Sequence, residues 1–384
     1  MTNGRNNRPT RRFRLLATML AGLLPLSAAA WNFTGHRLSA CIAWEQLPPA
    51  SREKVGTLLR AHPDYAYWTR KAKGEAIDRA AFIEASTWAD RIRHDPRFHA
   101  ADEPVTPLLP EFPDMASHGD WHYVNRPLPD AARADDDDGK ARGQLDRQLV
   151  VLMRTLAAHD ASAATFNAKV YALPWLIHLV ADAHQPLHVV DADAAWLAPL
   201  DDPKRLNPSA PRKRIVSLHA LWDDLPGASN LSGNKLDSAC RALVAMYPEP
   251  APASPAQWLE ESWQVAGKEG FPADYARQQQ VGKPFYERAR EVANQRIVSA
   301  GHRLAGVLRD PNGLDFTVGF VDGDGSLVAA SDRGNFIAGK LIYDDAGAPL
   351  SLVGVTSQFL NPMLPVGWQL NVRDDVAPLL FKGI

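Results

Sequence analysis

His178 and Asp182 stand four residues apart, and His219 and Asp223 repeat that spacing. On a helix, groups at i and i+4 leave one face together, so each pair can close on one cation. Pro186 ends or bends the helix that carries the first pair, which lets His188 turn toward a second metal. One His/Asp pair alone is ordinary on an exposed helix. Here each pair sits among apolar residues, Trp175 to Ala181 in one case and Leu218, Leu221 and Trp222 in the other. A carboxylate on an apolar face needs something to neutralise it, and a metal does so directly. Imidazole and carboxylate donors without a thiolate suit zinc.

The elements that must position these groups are mostly helical. Apolar residues recur at helical spacing over Leu38–Leu47, Arg79–Arg93, Gln144–Ala158, Val170–Ala183, Lys235–Met246, Pro255–Glu269 and Pro284–Leu308. Polar, proline-rich or charged connections separate them, the clearest being His99–Asp120, the acidic run Asp135–Asp138, Ala195–Arg214 and Pro248–Pro255. With 384 residues, 46% hydrophobic and 22% charged, the chain can form one large domain or one domain with an appendage. After Arg309 the texture changes. Phe316–Val321 and Ser326–Ala330 flank Asp322-Gly323-Asp324-Gly325, and Lys340–Tyr343 and Leu350–Val355 flank Asp344-Asp345-Ala346-Gly347, so two hairpins are expected. Asp322 and Asp324 are turn residues and not calcium ligands, because the rest of a calcium loop, including its distal Glu, is missing.

The first thirty residues predict a secretory signal. Arg5, Arg8, Arg11, Arg12 and Arg14 form a basic region, Leu15–Ser27 is apolar, and Ala28-Ala29-Ala30 supplies small residues for cleavage before Trp31. The apolar stretch falls short of the roughly 20 residues that span a bilayer. Thr10-Arg11-Arg12-Phe13 fits a twin-arginine signal poorly, and the export route stays open. Loss of those five arginines takes the formal net charge from −2 to −7. Bulk electrostatics alone therefore disfavour nucleic acid as a partner, unless bound metals reverse the sign locally. In an oxidising compartment Cys41 and Cys240 could form one disulfide; two free buried thiols are the alternative.

Five segments together resemble the secreted three-zinc single-strand nuclease family, the S-one/P-one type, which shares a helical fold with the bacterial zinc phospholipases C. They are Trp31-Asn-Phe-Thr-Gly-His36, Thr87-Trp-Ala-Asp90, Trp121-His122-Tyr-Val-Asn125, His178 through His188, and Ser217-Leu-His219-Ala-Leu-Trp-Asp223, in the family's order over residues 31 to about 308. The resemblance implies a mainly α protein of the zinc phospholipase C/nuclease type with a small β-rich C-terminal extension. Its parts would be a signal peptide (1–30), a helical nuclease domain (31–308) and an extension of unknown role (309–384). It also implies three zinc ions per chain. Asp90, His122, His178 and one oxygen of Asp182 would hold the first. The other oxygen of Asp182 would bridge to a second, held by His36 and by the α-amine and carbonyl oxygen of Trp31. His188, His219 and Asp223 would hold the third. Taken singly, His36 as a cap, Asp90 as a partner of Arg91 or Arg93, and His122 as a loop histidine would be ordinary; their joint occurrence in family order makes them ligands. His184 lies inside the matched segment without being a family ligand and is expected to be structural, as are His62, His94, His99, His118, His159 and His302. Tyr123 and Asn125 occupy positions where the family stacks and hydrogen-bonds a nucleobase, which would favour unpaired strands. Lys204, Arg205, Arg212, Lys213 and Arg214, between His188 and His219, are expected in a solvated loop.

The implied chemistry is hydrolysis of single-stranded RNA and DNA to products with 5′ phosphates, and the same site admits 3′-nucleotidase activity. Two zincs bridged by a carboxylate can share a water and lower its pKa to about 7. Asp90 would orient that water or accept its proton, and the third zinc would stabilise the departing 3′ oxygen. Three zincs against three ligand carboxylates make the cleft locally cationic in an acidic chain. The expected partner is single-stranded nucleic acid or nucleotides, with no stable membrane association; a secreted or periplasmic monomer is expected. A zinc phospholipase C is the nearest rival, disfavoured because Asp223 stands where phospholipases use Glu and because of the Tyr123/Asn125 pair. A secreted zinc-binding protein without catalysis is the rival from another class.

Overall fold

The computed structural model describes residues 31–309 apart from 73, 75–76, 111, 128–142, 159–161, 191–196, 200–214 and 273–280, together with five short strands beyond them. The leader expected over 1–30, the run Asp135–Asp138, His159, the basic residues between Lys204 and Arg214, and the turns beginning at Asp322 and Asp344 lie outside the described residues. The helices are α1 Phe33–Gln46, α2 Pro49–Ala61, α3 Tyr65–Thr69, α4 Ile77–Ala85, α5 Trp88–Ile92, α6 Leu145–Ala157, α7 Ala163–Asp182, α8 Leu218–Asp224, α9 Gly233–Met246, α10 Pro255–Glu269 and α11 Lys283–Val307. Single 3-10 turns at Gly119–His122 and Pro186–His188 complete the nuclear part. The strands are β1 Leu197–Pro199, β2 Ile215–Ser217, β3 Thr317–Val321, β4 Leu327–Ser331, β5 Phe336–Ala338, β6 Leu341–Tyr343 and β7 Pro349–Ser351. The architecture is thus mainly α.

Helix α7 is the hub. Every residue from Val170 to Asp182 is buried, so this stretch has no solvent face, as expected of a helix apolar all round. Helices α1, α2, α4, α5, α6 and α11 all pack on it. Its start, earlier than the apolar run predicts, is set by Ser162, whose side chain accepts from Thr165 N. Asn32 does the same for α1, accepting from Thr34 N and Gly35 N. Apolar periodicity does not register such polar caps. The most extensive helix pair is α1 against α11. Their close approach depends on Gly301, where a Cβ would lie 2.6 Å from Ile42 Cβ and 2.8 Å from Ser39 O.

One expected helix is two. The run Arg79–Arg93 breaks between α4 and α5, where Ser86 Oγ and Thr87 Oγ1 bond back to the carbonyls of Ile83 and Glu84 at 2.6 and 2.8 Å. Such hydroxyls compete with the helical ladder. Both expected hairpins of the extension are present, as antiparallel β3–β4 and β6–β7, with β5 added beside β4. Cys41 on α1 and Cys240 on α9 are buried free thiols. Their side chains share a hydrogen bond that lowers the Cys41 pKa and raises that of Cys240. Of the two alternatives the sequence left for this pair, the thiols are the one present here.

Gly301→Ala should destabilise the protein by about 1–3 kcal/mol, because β-branched Ile42 has little rotamer freedom to give way. Thermal unfolding should register this as a Tm lower by several degrees. An unchanged Tm would mean that the α1–α11 crossing relaxes at no cost.

Candidate metal centre and active site

The break between α4 and α5 matters first because it exposes a carbonyl. Ser86 O accepts from His178 Nδ1 at 2.7 Å. Since a carbonyl only accepts, Nδ1 carries the proton and Nε2 keeps its lone pair for the centre. His188 is held alike, donating from Nδ1 to the carbonyl of His122 at 2.5 Å. Val124 N donates back to His188 O at 2.8 Å, so the Trp121–Asn125 segment and the Pro186–His188 turn are tied together.

His178 Nε2, His122 Nδ1 and Asp182 Oδ2 lie 3.0 to 3.3 Å from one another. Asp90 Oδ1 stands 3.8 Å from His178 Nε2 and 4.0 Å from His122 Nδ1. Donors on a tetrahedral zinc with bonds near 2.05 Å are separated by about 3.3 Å, so these four atoms match the size of such a shell. Asp182 Oδ1 faces elsewhere, 3.5 Å from His36 Nε2, which is also 4.0 Å from Asp90 Oδ2. The His36 and His178 rings stack at 3.8 Å. A third set lies near Asp223. Gln185 Nε2 occupies Asp223 Oδ1 at 2.8 Å, leaving Oδ2 3.7 Å from His219 Nε2, with the His188 and His219 rings 4.8 Å apart. Three groups of potential ligands therefore emerge, His36/Asp90/His178, His122/His178/Asp182 and His188/His219/Asp223, each with donor atoms within 4.8 Å.

The charges fit a cation. His36, His122, His178, Asp182 and His188 are fully buried. Burial pushes the Asp182 carboxyl up to about 6 and that of Asp223 well above the carboxylate range, and it drives His36 and His122 well below the usual imidazole value. At His178, burial lowers the pKa but Asp182 and Asp90 beside it outweigh this and raise it. Asp182 Oδ1, His36 Nε2 and Asp90 Oδ1 are buried with no hydrogen-bond partner among the described residues, a state that buried polar atoms rarely tolerate. Without a cation, burial favours the neutral form of these carboxyls; a bound metal would hold them ionised beside neutral imidazoles, the forms that bind metal.

Trp31 is fully buried and closes this region from the N-terminal side. Its Nε1 donates to Ala181 O at 3.0 Å, and Asn32 N donates to Asp223 O at 3.0 Å. The segment therefore spans from α7 to α8. Gly35 permits the approach, since a Cβ there would lie 2.8 Å from Trp31 Cβ. Tyr123, partly buried, follows His122 directly, and Gly143 (φ +77°) lies so close that a Cβ would strike the Tyr123 carbonyl. Asn125 is likewise partly buried, two residues further on.

His184 has both ring nitrogens engaged away from the centre. Nδ1 donates to Val180 O at 2.7 Å, and Nε2 accepts from Arg303 Nη1 at 2.9 Å. Glu261 binds Arg303 and Arg296 at 2.7 Å, and Arg296 also reaches His184 O. Three participants escaped sequence reasoning. Ser86 acts through its carbonyl, which every residue has. Gln185 carried no spacing signal. Arg93, expected only as an ordinary partner of Asp90, lies 3.7 Å from Asp90 Oδ1 at the edge of the donor cluster; its i+3 spacing is the sequence signal.

Elemental analysis offers a direct check. His188→Ala should hold one metal fewer than the parent, whereas His184→Ala should keep the parent's metal count while melting at a lower temperature. Equal metal loss from both would make His184 a ligand.

Among the described residues no helix is long and apolar enough to cross a membrane. No curated protein matches the chain. A family model described as S1/P1 Nuclease matches residues 31–311, a span that holds every donor from Trp31 to Asp223. With the match covering most of the chain and the potential metal ligands gathered inside it, the chain belongs to the S1/P1 nuclease family, metal-dependent hydrolases of phosphodiester bonds in nucleic acid.

Proposed function

We propose that this protein is an exported three-zinc nuclease that cuts single-stranded RNA and DNA to products with 5′ phosphates. The observation that carries the proposal is the division of Asp182, whose Oδ1 faces His36 while Oδ2 faces His122 and His178. Asp90, His122, His178 and Asp182 would hold the first zinc, Asp182, His36 and Trp31 the second, and His188, His219 and Asp223 the third. Zinc so held would supply a water with a pKa near 7 and positive charge for the phosphate. Asp90 takes the proton of the attacking water. Arg93 steadies Asp90 and offers its guanidinium to a phosphate oxygen. Tyr123 stacks an unpaired base, and Asn125 hydrogen-bonds its edge. The family match ends at residue 311, which supports an extension that stands outside the nuclease unit. Export would bring Cys41 and Cys240 into surroundings where adjacent thiols bridge.

Single-stranded RNA and phosphatidylcholine vesicles, offered separately to the purified protein, separate the readings. RNA should be cut to 5′-phosphorylated fragments, and Asp90→Asn should lower kcat by about 10²–10⁴-fold, the usual contribution of a positioned proton acceptor. Terminal 2′,3′-cyclic phosphates would show that the ribose hydroxyl attacks instead. Turnover of the lipid alone would make the protein a phospholipase, and inertness toward both would leave a zinc-binding protein.

The second zinc makes the N-terminus chemical. A free α-amine and the carbonyl of one residue form a five-membered chelate, which a peptide nitrogen cannot do because its lone pair is delocalised into the amide. Cleavage before Trp31 would therefore complete the site. Protein carrying a few residues before Trp31 should lack one zinc and most activity, and trimming to Trp31 should restore both. Equal RNA hydrolysis by the extended and trimmed forms would refute an N-terminal ligand.

A further inference from the structure

Beside Asp90 a run of alternating arginine and aromatic side chains leads from buried Arg37 to the surface at Tyr67 and Arg70. Arg70 lies over the Tyr67 ring, its Cζ 3.8 Å from the centroid. Arg91 lies 5.7 Å from that ring and 4.4 Å from the ring of Phe33, and Arg37 follows 5.8 Å from Phe33. Arg91 Nη1 also donates to the Tyr67 hydroxyl at 3.2 Å, and its Nε to Thr87 Oγ1 at 2.9 Å. These contacts hold the guanidinium in a fixed plane.

Two features connect this run with the metal centre. Arg91 is the neighbour of Asp90, so the helix that aims a carboxylate inward also presents this cation. On α1, Phe33, His36 and Arg37 follow helical spacing and share one side. The charge balance is unusual for an acidic chain. Glu84 binds Arg37 through both oxygens at 2.9 and 3.0 Å and stands 3.9 Å from Arg91, which leaves three guanidinium groups to one carboxylate. Tyr67 is 43% exposed and Arg70 is exposed. A large aromatic left open to solvent beside fixed cations is the composition of a single-strand platform, where bases stack on rings and guanidinium planes while phosphates meet the positive charge.

We propose that Tyr67, Arg70, Arg91 and Phe33 form an extended subsite for single-stranded nucleic acid, holding nucleotides beyond those at the scissile phosphate. This rests on the nuclease reading above. The subsite gives long strands an advantage that a dinucleotide cannot obtain, through stacking at Tyr67 and neutralisation of phosphates by Arg70 and Arg91.

The test uses the zinc-loaded mature protein, a twelve-residue oligothymidylate and the thymidine dinucleotide, with the surface variant Tyr67→Ala/Arg70→Gln. The ratio of kcat/KM for the long substrate to that for the dinucleotide should fall about tenfold, the size expected for one lost stacking partner. The slope of log KM for the long strand against log salt should flatten by about 0.7, one phosphate contact on a single strand. Arg70→Gln alone should give the same change in slope, and this exposed position keeps the test open if Tyr67→Ala misfolds. Unchanged ratio and slope in folded variants would overturn the subsite and leave the nuclease reading intact. Failure of the parent to cut either substrate would overturn the nuclease reading, and the subsite with it.

Discussion

The structure depends on a carboxylate placed where water does not reach. Asp182 ends a helix whose preceding twelve residues are all buried, and an isolated charge there would be among the most costly features a fold can carry. Its raised pKa expresses that cost. The fold answers by bringing imidazoles to both oxygens, His36 from α1 and His122 from a 3-10 turn, both far away in sequence, and His178 from one helical turn upstream. Helices α1, α5 and α7 are therefore arranged around one group as well as around an apolar core.

The histidines themselves are oriented by main-chain carbonyls. His178, His188 and His184 each donate from Nδ1, to Ser86, His122 and Val180 respectively. The local device is the same in all three, and what differs is the group facing Nε2. For His178 and His188 it is a cluster of further donors; for His184 it is the guanidinium of Arg303, fixed in turn by Glu261. A histidine that faces a donor cluster and one that faces away are thus distinguished by the third residue in line and not by their own surroundings in sequence.

That distinction sets the limit of what the sequence discloses. The pairs His178/Asp182 and His219/Asp223 were legible because helical geometry converts a spacing of four into proximity. Helix α10 was legible to its ends because Pro255 and the capping box of Ser254 and Gln257 mark its start. The division of Arg79–Arg93 was not, since Ser86 and Thr87 break the helix through hydroxyls that would be harmless on many other helices. Arg93 looked like an ordinary surface partner until α5 turned it toward Asp90. A contact such as Gln185 to Asp223 joins segments 38 residues apart, and no local pattern encodes it.

The pairing of α1 with α11 carries a consequence in time. During synthesis α1 emerges first, bearing His36, yet its main partner is the last helix, ending at Val307. Some 250 residues must be made before the two can meet. Over that interval α1 has only its lesser partners, α4, α7 and α9, and contacts of such long sequence separation form late and slowly. The seat of His36 is therefore completed last, after the segments that carry every other donor of the three groups have been made.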